Sequence, residues 1–80
     1  MEPLRLKVIS PSGMILDTDA GMVGLPGENG PFTILEGHAP LIAALRKGDI
    51  VYQRDGEEKH MPIDSGFAEV ADDEIQVCID

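Results

Sequence analysis

The chain has 80 residues, of which 42% are apolar, so its length supplies one domain with a single modest core. Fifteen Asp and Glu and six Lys and Arg give a formal net charge of −9. Because this charge repels phosphate backbones, nucleic acid is not expected as a partner. Cys78 is the only cysteine, so no disulfide framework is expected, and no apolar stretch approaches the ~20 residues that span a bilayer.

The spacing of glycine and proline predicts an all-β fold. Nine Gly and six Pro are spread along the chain, and between Pro3 and Gly66 no stretch free of both exceeds seven residues. Helices of globular proteins commonly run about 8 to 20 residues, whereas strands of about 5 to 6 residues fit these intervals. We therefore expect residues 1–80 to form one domain of short strands.

Alternation of apolar and polar side chains predicts the first strands. Leu4, Leu6 and Val8 alternate with basic residues, which is typical of a strand that buries one face. A turn at residues 11–13 precedes a second extended segment, so a hairpin is expected there. The turn-forming residues of segment 26–31 predict the loop of another hairpin.

An Asp-Gly turn predicts a hairpin in the second half of the chain. Ile50 and Tyr52 share one face of an alternating segment, and Asp55-Gly56 then reverses the chain towards a returning strand at 59–63. The segment Leu41–Leu45 is apolar on both faces, so we expect a strand that is covered on both sides in the middle of a sandwich.

The last fourteen residues are free of Gly and Pro, yet alternation favours strands over a helix. Ile75, Val77 and Ile79 share one face, and the acidic turn at 71–73 separates them from an extended segment at 67–70. We expect a terminal hairpin with its apolar face in the core.

The residue pattern indicates neither catalysis nor metal binding. His38 lies in the Gly- and Pro-rich segment 36–40, where no Ser or Cys nucleophile accompanies it in a recognisable motif, so a structural or interface role is expected. His60 is expected to be solvated, and neither histidine has partners at metal-ligand spacing. We expect no catalytic residue, no metal site and no cofactor.

Two motifs in the middle of the chain carry a specific resemblance. They are Pro26-Gly27-Glu28-Asn29-Gly30 and Gly37-His38-Ala39-Pro40-Leu41. Together with the opening strand, the Lys47-Gly48-Asp49 step and the Ser65-Gly66-Phe67 corner, they fall in the order found in the epsilon subunit of rotary F-type ATP synthases, which this chain resembles over nearly its whole length.

The resemblance implies a fold, a function and partners. It implies an all-β sandwich of two antiparallel sheets, with about ten short strands, and no active site. In that family the domain lies at the foot of the central stalk, binds the gamma subunit and rests on the c-subunit ring, and it couples proton or sodium translocation to ATP synthesis. The resemblance also implies a peripheral location at the cytoplasmic face of the bacterial inner membrane, or its organellar equivalent, with contact to the membrane only through the complex.

Matching the family pattern residue by residue implies two contact surfaces. The contact with the c ring maps to Glu28, Asn29, Gly30 and Pro31, and the contact with gamma maps to Ser10, His38 and Ala43. At Pro31 relatives can carry an acidic residue, so Glu28 is expected to supply the charge in this chain.

Relatives usually continue into a helical hairpin that can inhibit ATP hydrolysis and in some binds ATP, and this sequence stops at Asp80 before such a segment. The expectation is that the domain neither binds ATP nor inhibits hydrolysis.

Two other classes of function remain open from the residues alone. The first is a free-standing acidic β-sandwich adaptor that binds another protein through the loop at 26–31. The second is a lipoyl-type or biotinyl-type carrier modified at Lys59, although this lysine follows the Asp55-Gly56 turn rather than occupying its tip.

Overall fold

The structure, a computed structural model, describes residues 2–80 and forms a two-layer β-sandwich. The nine strands of this described part are β1 (Leu4–Ser10), β2 (Gly13–Ala20), β3 (Met22–Leu25), β4 (Phe32–Ile34), β5 (Leu41–Leu45), β6 (Gly48–Arg54), β7 (Glu57–Ile63), β8 (Gly66–Ala71) and β9 (Glu74–Ile79). No helix of the length and apolarity needed to cross a membrane occurs among the described residues. The predicted all-β sandwich is confirmed, with nine strands instead of about ten.

The strands form a larger and a smaller sheet. The larger sheet has the order β2-β1-β9-β8-β5 and the smaller sheet the order β4-β3-β6-β7. Neighbouring strands run antiparallel, except that β1 and β9 pair in parallel from Arg5↔Glu74 to Ile9↔Cys78. A parallel pair requires a long crossover connection, and here the chain between the first and the last strand supplies it.

The core lies between the two sheets and is filled by aliphatic side chains. The predicted inward residues Leu4, Leu6 and Val8 are at most 1% exposed, and Ile75 and Val77 are fully buried. Ile50 and Tyr52 of the smaller sheet face them from the opposite layer and are also buried. The alternation in the sequence therefore identified the buried face of each of these strands.

Two of the predicted hairpins close with tight turns that need left-handed backbone. Asp55 and Gly56 have φ of 53° and 78°, and Asp72 and Asp73 have φ of 51° and 62°. Two consecutive residues with positive φ form the turn whose twist matches a two-residue hairpin, and Asp and Gly tolerate that conformation. The hairpins β6–β7 and β8–β9 are thus confirmed.

One strand prediction is wrong. The segment Leu41–Leu45 is a strand, β5, but it lies at the edge of the larger sheet instead of in its interior. Leu45 is buried, whereas Ile42 is 64% exposed. One face of this apolar segment packs on the core. The other face is exposed, and no further layer of the described protein covers it.

Candidate interaction surfaces

The loop at residues 26–31 joins β3 to β4 and is held by backbone hydrogen bonds. The amide of Glu28 donates to the carbonyl oxygen of Ala44 (2.9 Å), and the amide of Arg46 donates to that of Pro26 (2.9 Å). The amide of Gly30 donates to the carbonyl oxygen of Gly27 (3.0 Å) inside the loop. The backbone of the loop is therefore attached to β5, and its exposed side chains project from a fixed base.

The loop is compact because Gly27 has no side chain. A Cβ at this position would lie 2.5 Å from the carbonyl oxygen of Gly30 and 2.8 Å from a ring carbon of Phe32. Glu28, Asn29 and Pro31 are exposed, while Gly30 is half-buried. The four residues that are expected to contact the c-subunit ring thus lie together on this loop.

Residues 35–38 form a corner of the structure that is attached to the β8–β9 hairpin by a hydrogen bond. The amide of Gly37 donates to Oδ1 of Asp73 (2.7 Å), and the amide of His38 donates to the carbonyl oxygen of Leu35 (3.1 Å). Nδ1 of His38 donates to the carbonyl oxygen of Ala39 at 2.7 Å, since a carbonyl oxygen can only accept. His38 is half-buried, and its ring is hydrogen-bonded to the neighbouring backbone.

Ser10 lies at the far end of β1 in the β1–β2 turn. Its hydroxyl donates to the carbonyl oxygen of Gly13 (3.2 Å) and accepts from the amide of Ser12 (3.2 Å). The register pairs the β1 residue next to it, Ile9, with Cys78, whereas the His38 corner lies near the opposite end of β9, at Asp73. Ser10 and His38 therefore occupy diagonally opposed corners of the larger sheet.

Ala43 lies apart from both corners and close to the loop. It shares an open cavity of about 430 Å³ with Glu28, Asn29 and Gly30, between the loop and β5. Its side chain is on the same face of β5 as the buried Leu45. Of the three residues expected to contact gamma, Ala43 is thus adjacent to the residues expected to contact the ring.

The register of the larger sheet aligns five outward residues across all its strands, at the end nearest Ser10. This apolar row consists of Met14, Ile9, Cys78, Phe67 and Ala44. Met14 is 52% exposed and Phe67 is 50% exposed. The apolar row therefore exposes large apolar side chains together and marks a surface suited to protein contact.

The other end of the same outer face is charged. Nε of Arg5 lies 2.7 Å from a carboxylate oxygen of Asp17, and Nζ of Lys7 lies 3.2 Å from one of Glu74. The hydrogen bond from Arg5 lowers the pKa of Asp17 below its ordinary value. These pairs make one half of the face charged, whereas the apolar row forms the other half.

The remaining candidates are solvated. His60 contacts Asp49 through Nδ1 (3.2 Å) and Glu58 through Nε2 (2.8 Å) on the exposed side of the β6–β7 hairpin. Lys59 lies within β7, opposite Tyr52, and not at the tip of the hairpin where a carrier lysine would be presented. Among residues 2–80, no group of three or more His, Cys, Asp or Glu side chains is placed to hold a metal ion.

Comparison with known proteins decides the family. The family model described as "ATP synthase, Delta/Epsilon chain, beta-sandwich domain" matches residues 3–80. The chain belongs to this family. The ATP synthase epsilon chain of Lawsonia intracellularis is 42% identical over 76 residues, which cover 95% of this chain and 57% of that protein. The epsilon chain of a Sulfurovum species is 41% identical over 80 residues, covering 99% of this chain and 62% of that protein.

Solved structures show the same fold. A chain in the mitochondrial ATP synthase of Euglena gracilis (OSCP/F1/c-ring) superposes with a TM-score of 0.89 at 20% identity, covering 99% of this chain and 51% of that one. A chain in the central stalk/c-ring structure of the Tetrahymena thermophila mitochondrial enzyme has a TM-score of 0.77 at 10% identity. This chain therefore spans less than two thirds of the length of these relatives.

For this delta/epsilon-type sandwich, sequence reasoning missed the apolar row. Phe67, Cys78 and Ile9 were each visible as outward positions of alternating strands, but their alignment depends on which strands are neighbours. The sequence did contain a signal for this row, because these outward positions are apolar. In strands with one face in water, the outward positions are commonly polar.

Proposed function

We propose that this domain is a non-catalytic part of the rotor of an F-type ATP synthase. In this role it links the gamma subunit to the c ring and couples proton or sodium translocation to ATP synthesis, as a peripheral component at the cytoplasmic face of the bacterial inner membrane or its organellar equivalent. The observation that carries the proposal is the family match over residues 3–80. The domain's contact with the membrane is indirect, through the ring.

A close-packed sandwich suits the transmission of torque. Within residues 2–80, fifteen apolar side chains form one buried cluster between the sheets. No buried side-chain nitrogen or oxygen of the described residues lacks a hydrogen-bond partner. Such interiors have low compressibility, so a force applied at one surface reaches the other with little internal deformation.

The contact with gamma is proposed for the larger sheet and its edges. Ser10 and His38 lie at opposed corners of the larger sheet, Ala43 lies on its edge strand β5, and the apolar row supplies the surface whose burial favours association. The contact with the c ring is proposed for Glu28, Asn29, Gly30 and Pro31, whose loop is polar, exposed and anchored to β5. The two contacts meet at the cavity beside Ala43.

The proposal is tested with two variants in the assembled enzyme. Ala43→Trp introduces a bulky side chain at the cavity and is expected to weaken the binding of isolated gamma, measured by pull-down. Glu28→Lys keeps the backbone bond to Ala44 and reverses only an exposed charge. It is expected to leave gamma binding unchanged and to lower ATP-driven proton pumping in reconstituted membranes more than it lowers ATP hydrolysis.

The opposite pattern would reverse the assignment of the two surfaces. If Glu28→Lys abolishes gamma binding while Ala43→Trp spares it, the loop is the gamma contact. A wild-type domain that binds neither gamma nor the ring would contradict the rotor function and favour the free-standing adaptor.

A further inference from the structure

The four sheet edges of the sandwich differ in how they are protected against pairing with another chain. β4 is only three residues long. β7 carries Pro62 and a charged segment at 57–59, and β2 carries Asp17 and Asp19 and is bulged where it pairs with β1. These are the devices by which proteins blunt an exposed edge.

The fourth edge, β5, is protected only at one end, where the loop at 26–31 is hydrogen-bonded to it. β5 has the sequence Leu-Ile-Ala-Ala-Leu, without a charge or a proline, and its pairing with β8 is regular over all five residues. Ile42, its second residue, is 64% exposed. An edge strand of this kind is a template for an additional strand.

The hydrogen bonds show which part of this edge is open. The carbonyl oxygen of Ala44 accepts from the amide of Glu28, so the peptide groups of Ala44 point away from β8. Because these directions alternate along an antiparallel strand, the N–H and C=O of Ile42 point the same way. No hydrogen bond within residues 2–80 engages either group of Ile42. The loop therefore covers the end of β5 near Leu45 and leaves the half around Ile42 open.

We propose that an extended strand of the gamma subunit adds to the open half of β5 and lengthens the larger sheet from five strands to six. The identity of the partner rests on the proposed function, whereas the manner of binding rests on the edge itself. A backbone edge is satisfied by another backbone, since only an extended segment presents donors and acceptors at the matching interval.

The surroundings of Ile42 define the side chains of the added strand. On one face of the added strand, the side chains lie beside Ile42 on the outer surface of the larger sheet. This surface continues into the apolar row at Phe67 and Ala44. On the other face, the side chains enter the cavity of about 430 Å³ lined by Phe32 and Leu41. Apolar residues fit both faces of the added strand. The segment that this edge selects is therefore short, extended and apolar on both faces.

The direct test is amide hydrogen exchange in the complex of this chain with gamma. The amide of Ile42 is expected to exchange at least about tenfold more slowly in the complex than in the free chain, because strand addition gives it an acceptor. The amide of Ala43 is directed towards β8 in both states and serves as the internal control. Binding of gamma without slower exchange at Ile42 would overturn strand addition and leave the rotor function intact. Absence of any gamma binding by the wild-type chain would overturn both.

A matched pair of variants separates the backbone from the side chain. Ile42→Pro removes the N–H that faces the open edge, and the ladder to β8 does not use it. Ile42→Ala shortens the side chain and keeps the N–H. We expect Ile42→Pro to bind gamma at least about tenfold more weakly than Ile42→Ala, with thermal denaturation showing that both are folded. Equal affinities of two folded variants would overturn the proposal. If the proline variant does not fold, the exchange rates in the wild-type complex decide.

Discussion

The amide of Glu28 donates a 2.9 Å hydrogen bond to the carbonyl oxygen of Ala44 and thereby joins the loop at 26–31 to the edge of the larger sheet. A second bond, from Arg46 to Pro26, lies across the same junction. The loop proposed to contact the ring and the strand proposed to contact gamma are therefore connected through backbone groups. Such a connection is stiffer than one made by long side chains, and it suits a coupling element.

Gly27→Ala is expected to distort this junction. The new Cβ would meet the carbonyl oxygen of Gly30 at 2.5 Å, and backbone must move to relieve the overlap. The expected cost is about 1–3 kcal/mol of unfolding free energy, measured by urea denaturation. Gly24→Ala is the control, because its Cβ would meet the nearest atom, on Val51, at an ordinary 3.7 Å. Equal losses of stability in the two variants would contradict the tight packing assigned to the loop.

Asp73→Ala is expected to release the corner that carries His38. The carboxylate of Asp73 accepts from the amide of Gly37 at 2.7 Å, and the residue itself has a positive φ of 62° that alanine disfavours. We expect a loss of about 1–2 kcal/mol in unfolding free energy and faster hydrogen exchange at the Gly37 amide. Asp73→Asn keeps an acceptor and tolerates the turn, so it should remain close to wild type. Unchanged exchange at Gly37 in the alanine variant would show that the corner does not depend on Asp73.

Leu6→Ala is expected to destabilise the sandwich strongly. Leu6 is fully buried in the larger sheet and pairs with Ile75 of the parallel neighbour strand. Loss of its side chain leaves a cavity between the sheets, for which about 2–4 kcal/mol is expected in urea denaturation. Glu69→Ala, on the exposed face of β8, should change stability by less than about 0.5 kcal/mol. Similar denaturation midpoints for these two variants would mean that the buried face of the sheet is assigned wrongly.

His60 is expected to make stability depend on pH. Its hydrogen bonds, first to Glu58 and then to Asp49, raise the pKa of His60 above the ordinary 6.5. Because the folded pKa exceeds the unfolded one, the stabilisation is present below about pH 6.5 and is lost as pH rises through the raised pKa. His60→Gln should reduce the drop in denaturation midpoint between about pH 5.5 and 8.5. The effect should weaken with added salt, since the group is exposed.

Nuclear magnetic resonance provides the direct check of this pH dependence. The titration midpoint of the His60 ring protons is expected above 6.5 in the wild-type chain and lower in the Glu58→Gln variant. A wild-type midpoint below 6.5 would mean that the contacts with Glu58 and Asp49 do not favour the charged ring.

Local sequence patterns were sufficient for the strands and their turns. The alternation of Leu4, Leu6 and Val8 predicted a buried face that the structure confirms. Asp55-Gly56 predicted a hairpin because both residues accept positive φ, and both have it. The motifs around Glu28 and His38 were specific enough to indicate the family. These features depend on neighbours in the sequence, and so a single sequence contains them.

The order of the strands depended on the tertiary structure. Leu41–Leu45 has the composition of an interior strand, and only the pairing of β5 with β8 alone places it at an edge. The apolar row likewise exists because β1 pairs in parallel with β9, which brings Ile9 beside Cys78 although 69 positions separate them in the sequence. Hydrophobicity determines which side chains leave water but does not specify which distant strand they meet, since that choice belongs to the packing of the whole chain.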